Sequence, residues 1–474
     1  MKLIARDREI ENLTQYYNSK QSEFVALYGR RRVGKTFLIR NYFNDQFAFF
    51  VTGIIEGNKK EQMTVFHQAL TQYGYTGDAA NNWLEAFAQL AQLLKQKKRT
   101  TKKRLVVFID ELPCFDTKNS GFVRALGHFW NTTGVAMDRL MLIVCGSATS
   151  WMINKVVNNH GGLHNRITHT MHLKPFTLFQ TEQYVRAKRS TWDRMSILQM
   201  YMALGGIPFY LSKIDFDQSA TDNIDRLLFA ENGDFRNEYH RLFQSLYRHP
   251  EVYMDVIRLL SDNKKGLTRK QIADILSIPN NGHLSQVLSD LAHCDFIRAY
   301  GNGKKLNQMI YQVIDFYTLF YNQFLAKRIT DQHYWRNHLG TPKQNTWYGF
   351  TFERVCQCHI NQIIRALHLD SIHVEYYSWR SRESTPGAQI DMIIDRADGI
   401  ITMCEIKYSK TQYTLTKAEY DKILNRIECF MRETHSRKGI QTVVVTTQGL
   451  KPHGYAEIAS KSICLDDLFE HSNN

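Results

Sequence analysis

The octet G-R-R-R-V-G-K-T at residues 29–36 constrains the fold more than any other part of the chain. An apolar run at residues 24–28 precedes it and residues 36–43 follow with helical periodicity, which predicts a buried strand, a glycine-bounded loop and a helix. Such a loop turns its N–H groups around a phosphate, while its lysine reaches the β- and γ-phosphates and its threonine ligates magnesium. The predicted nucleotide-binding residues of this loop are Gly29, Arg30, Arg31, Arg32, Val33, Gly34, Lys35 and Thr36.

Two acids after a second apolar run are expected to complete this site. Residues 105–109 are all apolar, and Asp110 and Glu111 follow them directly. We expect Asp110 to hold magnesium through water and Glu111 to orient or deprotonate the water that attacks the γ-phosphate. The alternative is a strand that ends in two solvated acids, which fits poorly with the five apolar residues before them.

A third apolar run, residues 140–145, ends in G-S-A-T-S, whose hydroxyl groups are well placed to sense the γ-phosphate. With N-R-I at 165–167 and G-G-I-P at 205–208, this part of the chain resembles the AAA+-like ATPases of the STAND group, specifically an archaeal-type family also common in bacteria. The resemblance implies that Arg166 stabilises phosphate charge from the same or a neighbouring subunit, and that Pro208 packs near adenine. The alternatives are a surface arginine, and a helix C-cap followed by a turn.

The middle of the chain has the pattern of a winged helix. The predicted elements are a helix at 269–276 capped by Thr268, a turn at 279–282, a helix at 283–291, and two strands at 296–300 and 310–313 around a tip at 301–305. This is helix-turn-helix spacing followed by a β-wing. The second helix offers only Ser285, Gln286 and Ser289 to bases and carries Asp290, so a wing that packs domain against domain is at least as well supported as base recognition.

The last third combines a helix and two strands that carry charged residues. The helix is predicted over 347–364 and carries Glu353, and the strands are predicted at 389–394 and 400–407. Because side chains alternate along a strand, Glu405 and Lys407 lie on one face, where Asp391 of the neighbouring strand can meet them. Two carboxylates and a backbone carbonyl suit magnesium, and the lysine can activate the water that attacks phosphorus. The predicted metal ligands are Thr36, Asp110, Asp391 and Glu405.

This arrangement resembles the PD-(D/E)xK nuclease superfamily, with G-A-Q-I-D at 387–391 in place of a literal Pro-Asp. Over nearly its whole length the chain resembles a family that pairs an archaeal-type ATPase with a C-terminal domain long catalogued as of unknown function. The segments that carry this resemblance are 314–317, 347–353, 387–396 and 404–407. It implies catalytic roles for Glu353, Asp391, Glu405 and Lys407. The alternative is an inactive nuclease fold that serves as a nucleic-acid or protein platform.

Length and composition indicate how many domains the chain has and what kind of partner it binds. The chain has 474 residues and a net charge of +14, which suits several domains and a polyanionic partner, although a merely basic protein is the alternative. We expect α/β architecture: a P-loop ATPase core at 1–180, a helical lid at 181–248, a winged helix at 249–330 and a restriction-endonuclease-like α/β domain at 331–474. The basic run at 95–104 is expected in a solvated loop. Scattered cysteines and the lack of an apolar run of ~18 residues favour a cytoplasmic protein without membrane contact.

The sequence thus predicts an ATP-binding and ATP-hydrolysing switch coupled to a magnesium-dependent DNA endonuclease, in defence or mobile-element biology. ATP and Mg²⁺ are the expected cofactors, and DNA and a second copy of the chain are the expected partners. The alternative is an ATP-gated sensor, scaffold or DNA-binding regulator that has an inactive nuclease fold.

Overall fold

The computed structural model describes residues 3–159, 161–301, 309–327, 329–381 and 388–471. The chain forms two compact units. The first comprises residues 1–175 and 289–295, and the second comprises residues 176–288 and 296–474. The predicted division into four domains remains a prediction.

The first unit is built on a five-stranded parallel sheet, as the apolar runs predicted, with the strand order β2-β3-β4-β1-β5. Its strands are β1 (Glu23–Tyr28), β2 (Phe49–Thr52), β3 (Leu105–Asp110), β4 (Leu140–Gly146) and β5 (His169–His172). Both β3 and β4 are buried along their whole length, which explains their continuous apolar sequences. Because β4 lies between β1 and β3, the loop after β1 and the acids after β3 are one strand apart.

Helices cover this parallel sheet. They are α1 (Asp7–Asn18), α2 (Lys35–Tyr42), α3 (Lys59–Gln72), α4 (Trp83–Thr100), α5 (Phe122–Phe129) and α6 (Thr149–Trp151). The basic run at 95–104 does not form the expected loop, because its first six residues belong to the last turns of α4. Cations at that position interact favourably with the negative end of the helix dipole.

The second unit begins with a group of helices. They are α7 (Leu178–Ala187), α8 (Arg194–Leu204), α9 (Pro208–Leu211), α10 (Ala220–Ile224), α11 (Glu238–Leu246) and α12 (Pro250–Asp262). Gly205 caps α8 with a φ of +68°, a conformation that favours glycine. The segment 205–208 is therefore a helix C-cap followed by the start of α9.

A three-stranded antiparallel sheet follows, with the order β6-β8-β7. Its strands are β6 (Leu267–Thr268), β7 (Ile297–Tyr300) and β8 (Ile310–Val313). Two helices, α13 (Arg269–Leu276) and α14 (Gly282–His293), lie between β6 and β7 in the sequence. Thr268 caps α13 as predicted, since its hydroxyl accepts from the Gln271 N–H and the Gln271 side chain accepts from the Thr268 N–H. Most of the predicted tip, residues 302–305, lies outside the described residues.

The C-terminal part holds a five-stranded mixed sheet with the order β13-β12-β11-β10-β9. The β9–β10 and β10–β11 pairs are antiparallel, and the β11–β12 and β12–β13 pairs are parallel. The strands are β9 (Val374–Arg380), β10 (Gln389–Arg396), β11 (Ile400–Lys407), β12 (Gly439–Thr446) and β13 (Ala459–Ile463). The remaining helices are α15 (Phe316–Phe320), α16 (Tyr334–Asn337), α17 (Pro342–Cys358), α18 (Ile360–Ala366), α19 (Lys417–Thr434) and α20 (Leu465–Leu468).

The single helix predicted over 347–364 is two helices, α17 and α18, that meet at His359. The buried His359 ring donates from Nδ1 to the Val355 carbonyl (2.8 Å) and accepts at Nε2 from the Leu178 N–H (2.9 Å). Burial lowers the pKa of His359 to about 4, so the ring is neutral and can accept at one nitrogen. This pairing with a residue 181 positions away is a tertiary contact that helical periodicity does not reveal.

Within the described ranges, no helix is both long enough and apolar enough to span a lipid bilayer.

Candidate functional site

The glycine-bounded loop lies between β1 and α2, as predicted, and its two glycines have conformations that a side chain would disturb. Gly34 precedes α2 with a φ of +91°. Gly29 has a φ of +148°, and a Cβ atom there would lie 2.3 Å from the Leu173 carbonyl oxygen. The loop therefore needs glycine at both ends, because both positions have a positive φ and Gly29 also has no room for a side chain.

Lys35 folds back over this loop. Its Nζ donates to the carbonyl oxygens of Gly29 (2.8 Å) and Arg30 (3.0 Å), and the side chain is buried. Burial lowers the pKa of Lys35, while the acids Glu111 and Asp110 nearby oppose that shift. The ammonium group is thus held by neutral oxygen atoms rather than by a carboxylate.

Asp110 lies at the end of β3, where neutral groups hold both of its carboxylate oxygens. Oδ2 accepts from the Thr36 hydroxyl (2.8 Å), and Oδ1 accepts from the Cys145 thiol and from the Glu111 N–H (3.0 Å). Burial raises the pKa of Asp110, and the hydrogen bonds from Cys145 and Thr36 oppose the shift. The structure therefore brings two predicted metal ligands, Thr36 and Asp110, into direct contact.

Glu111 bonds to the residue that follows the central strand β4. The Ser147 hydroxyl lies 2.9 Å from each Glu111 carboxylate oxygen, and the Ser147 N–H lies 3.2 Å from Oε2. Glu111 has a φ of +46°, an uncommon conformation for a residue other than glycine. The acid after β3 and the hydroxyl after β4 therefore meet, as their positions at the ends of neighbouring strands predict.

The remaining loop residues differ in burial. Arg30 and Val33 are buried, and Arg31 and Arg32 are half-buried. Sequence reasoning missed Arg6, whose guanidinium donates to the carbonyl oxygens of Val33 (3.1 Å) and Lys174 (3.0 Å). Burial lowers the pKa of Arg6, and Glu9 opposes the shift. Because Arg6 lies 27 residues before Val33, only the fold brings it to the loop.

Two further predicted site residues, Arg166 and Pro208, belong to other segments of the chain. Arg166 is exposed in the turn before β5, and within the described part of the chain its side chain donates no hydrogen bond to the loop or to the two acids. Pro208 is the first residue of α9 in the second unit. Their predicted roles toward phosphate and adenine remain predictions.

A second cluster of charged side chains forms on the mixed sheet. Lys407 and Glu405 of β11 form an ion pair of 2.8 Å, and Arg426 of α19 pairs with the other Glu405 oxygen. Asp391 of β10 accepts from the Gln389 side chain at 2.8 Å. The predicted alternation is confirmed for Glu405 and Lys407, whose side chains meet on one face. Gly387, the first residue of the predicted motif, lies outside the described residues.

Glu353 of α17 belongs to the same cluster. Burial, and next the charge of Asp391, raise the pKa of Glu353 to about 8. Burial also raises the pKa of Asp391, and Glu405 adds to that shift while Gln389, Arg426 and Arg354 oppose it. Glu353 is therefore within electrostatic reach of Asp391, Glu405 and Lys407, and Asp391 is within reach of Glu405.

No group of three His, Cys, Asp or Glu side chains in the described ranges is arranged to hold a metal ion. In the second cluster, both Glu405 oxygens are engaged by cations, so Glu405 would have to release one of them to ligate a metal ion together with Asp391.

A parallel sheet with a glycine-bounded loop after one strand and acids after another defines a P-loop nucleotide-binding unit. Residues 3–214 match the model of a family described as an ATPase domain predominantly from Archaea. This part of the chain is therefore similar to an archaeal-type ATPase domain.

The chain is also similar to individual proteins. An uncharacterised protein of Methanocaldococcus jannaschii is 23% identical over 401 residues, which are 82% of this chain and 83% of the relative. An uncharacterised ATP-binding protein of the same organism is 40% identical over 43 residues, which are 9% of this chain and 73% of the relative. Among solved structures, the Walker-type ATPase of Pyrococcus abyssi is 18% identical, with a TM-score of 0.47, over 68% of this chain and 96% of that one. The ORC2 protein of Aeropyrum pernix is 16% identical, with a TM-score of 0.41, over 68% and 93%.

Proposed function

We propose that this protein is an ATP-driven switch coupled to a magnesium-dependent, nuclease-like site. In the first unit, the Lys35 ammonium group donates to two loop carbonyls, so an arriving triphosphate can replace these weak neutral acceptors with strong anionic ones. The residues that would bind the nucleotide are those of the loop at 29–36, with Pro208 near adenine and Arg166 at the phosphates of its own or a neighbouring copy.

The chemistry of the Thr36 and Asp110 side chains fits a magnesium ion. A hydroxyl and a carboxylate are the hard oxygen donors that Mg²⁺ prefers, and the two groups are already in contact. When bound, the ion would neutralise charge on the β- and γ-phosphates. Glu111 would orient the attacking water, and for this its carboxylate has to exchange the Ser147 hydroxyl for that water.

We also propose a winged helix at 249–330 and a PD-(D/E)xK nuclease-like domain at 331–474. The nuclease proposal is supported by the Glu405–Lys407 ion pair on β11 and by Glu353 of α17 and Asp391 of β10, which lie within electrostatic reach of Glu405. Asp391 and Glu405 would hold the ion, and Lys407 would steer the attacking water and offset charge on the phosphate.

The proposed substrate is DNA, because a net charge of +14 suits a polyanion. The second helix of the predicted helix-turn-helix, α14, offers only Ser285, Gln286 and Ser289 to bases, so we propose weak sequence preference. We also propose that the protein acts in defence or mobile-element biology and that it assembles with further copies of itself.

A second function, an ATP-gated sensor or scaffold with an inactive nuclease fold, is favoured by one observation. Glu405 is neutralised by Lys407 and Arg426, an arrangement that is stable without a metal ion. If the cluster only stabilises the fold, it needs no metal ion.

The test is incubation of the purified full chain with linear, circular and single-stranded DNA and with RNA, in magnesium, with and without ATP. The proposal predicts cleavage of at least one DNA form that ATP changes in rate. If no nucleic acid is cut in any nucleotide state while ATP is hydrolysed, the sensor or scaffold function is correct.

A further inference from the structure

The main-chain carbonyl of Asp391 has two side-chain donors. Ser378 of β9 donates through Oγ at 2.6 Å, and Gln357 of α17 donates through Nε2 at 3.2 Å. The β9–β10 register shifts between Ile390 and Ile393, so Asp391 lies in an irregular part of the ladder. Such an irregularity re-aims a side chain and removes the regular ladder partner. These two donors therefore fix the backbone of a predicted metal ligand.

Of the two donors to the Asp391 carbonyl, Gln357 is oriented by Arg354. The Arg354 guanidinium donates to Gln357 Oε1 at 2.7 Å and also donates to the Lys264 carbonyl oxygen in the turn before β6. Its side chain is only 3% exposed and its guanidinium lies 4.8 Å from the Phe350 ring centre. Because a buried guanidinium that loses a partner is costly, this connection is stiff.

The second donor, Ser378, lies beside Tyr300 of β7. The Ser378 hydroxyl donates its proton to the Asp391 carbonyl, and the Tyr300 hydroxyl donates its own to the Lys265 carbonyl oxygen at 3.2 Å. Burial raises the pKa of Tyr300, so the phenol stays protonated and able to donate. Both donors to the Asp391 carbonyl thus have a neighbour that bonds to one turn, residues 264–265.

This turn is itself held by the three-stranded sheet. Gln312 of β8 donates to the Lys264 carbonyl oxygen at 3.1 Å, and Arg298 of β7 donates to Gln312 Oε1 at 2.7 Å. Burial, and next the nearby charge of Arg354, lower the pKa of Arg298 to about 10. The sheet, the turn and the Asp391 backbone form one polar network in a low-dielectric environment, where its members reinforce one another.

We propose that the three-stranded sheet regulates the acidic cluster by holding or releasing the Asp391 backbone, with Arg354 and Tyr300 as positioning residues. This inference rests on the proposed nuclease function of the cluster. A shift of the sheet would move the turn at 264–265, loosen Gln357 and Ser378 together, and displace Asp391. Neither positioning residue contacts the reacting atoms.

The test measures backbone hydrogen exchange in the full chain, which does not depend on cleavage. Tyr300→Phe removes one hydroxyl from the network, and Arg354→Lys removes the two-pronged donor. Since one hydrogen bond contributes about 0.5–1.5 kcal/mol, Tyr300→Phe should speed exchange at residues 389–396 by about 2- to 10-fold, and Arg354→Lys by more. Exchange in β12, which belongs to the same mixed sheet, should stay at the wild-type rate.

The matched control is Tyr376→Phe, which removes a hydroxyl from an exposed tyrosine of β9. It should leave exchange at 389–396 unchanged. Wild-type exchange at 389–396 in both network variants would overturn the inference, and so would an equal increase in β12, which would indicate general loosening. A wild-type chain that cuts no nucleic acid leaves this exchange result intact, so failure of the proposed function is distinguished from failure of the network.

Discussion

The nucleotide site and the acidic cluster contain the same kinds of side chain in opposite arrangements. Each has a lysine and carboxylates at a β-sheet. In the nucleotide site, Lys35 bonds to loop carbonyls and Asp110 bonds to a hydroxyl, a thiol and an N–H. In the acidic cluster, Lys407 and Arg426 pair directly with Glu405.

This difference shows which site is prepared for its ligand. Separated charges that rest on neutral partners can bind an anion and a cation without first breaking an ion pair. A carboxylate that already has two cationic partners must release at least one before it ligates a metal. The nucleotide site is therefore preorganised, whereas the acidic cluster would have to rearrange before it could bind a metal ion.

The largest expected effect comes from removing the nucleotide site's cation. Lys35→Ala should weaken ATP binding by about 100-fold or more, because two hydrogen bonds to charged phosphate oxygens are worth about 1.5–3 kcal/mol each. Calorimetric titration with ATP measures this loss. Lys20→Ala, which removes an exposed lysine, should bind ATP as the wild type does. Unchanged affinity in Lys35→Ala would rule out the predicted role of the loop.

Glu111→Gln should separate binding from hydrolysis. Loss of a general base costs about 100-fold or more in rate, while the amide can still accept from the Ser147 hydroxyl and keep the local fold. We expect ATP affinity near the wild-type value and turnover reduced by about 100-fold, measured as phosphate release. Wild-type turnover in this variant would transfer the role to another acid.

The acidic cluster should make the stability of the second unit depend on pH through Glu353. Its folded pKa of about 8 lies above its ordinary value of 4.5, so the folded state binds the proton more tightly. The associated stability is complete below pH 4.5 and is lost as the pH rises through about 8. Allowing for solvent screening, we expect a loss of about 2 kcal/mol between pH 5.5 and 8.5.

Urea denaturation at these two pH values measures that loss. Glu353→Gln, which cannot titrate, should lose about 2 kcal/mol less than the wild type over the same interval. An identical loss in wild type and variant would show that Glu353 does not carry the perturbed proton.

The smallest expected effect is a change in the Mg²⁺ affinity of the acidic cluster when a cationic partner of Glu405 is removed. Arg426→Ala removes one cation from Glu405 and should raise the affinity of the cluster for Mg²⁺ by about 3-fold, since partly exposed ion pairs contribute about 0.2–1 kcal/mol. Calorimetry with MgCl₂ in the absence of nucleotide measures it. Lys422→Ala, on the exposed side of the same helix, is the control. Weaker Mg²⁺ binding in Arg426→Ala would mean that the arginine supports the metal site.

The nucleotide site was largely predictable because its signals are local. The loop lies between an apolar run and a helix, and the acids follow a second apolar run, so strand order alone brings them together. Arg6 and the break at His359 were not predictable, since each depends on a partner far along the chain. Arg426 was missed because α19 has the charge pattern of an ordinary amphipathic helix. The charge of the basic run at 95–104 favours a loop, whereas the helix propensity of residues 95–100 lets them continue α4.

The most direct test of the central claim, two sites with separate chemistry in one switch, is to measure ATP hydrolysis and DNA cleavage in parallel for the wild type, Lys35→Ala and Asp391→Ala. Asp391→Ala should hydrolyse ATP at the wild-type rate and cut no DNA. Lys35→Ala should hydrolyse no ATP, and ATP should no longer change its rate of DNA cleavage. Cleavage of DNA by Asp391→Ala at the wild-type rate would show that the acidic cluster is not the cleavage site.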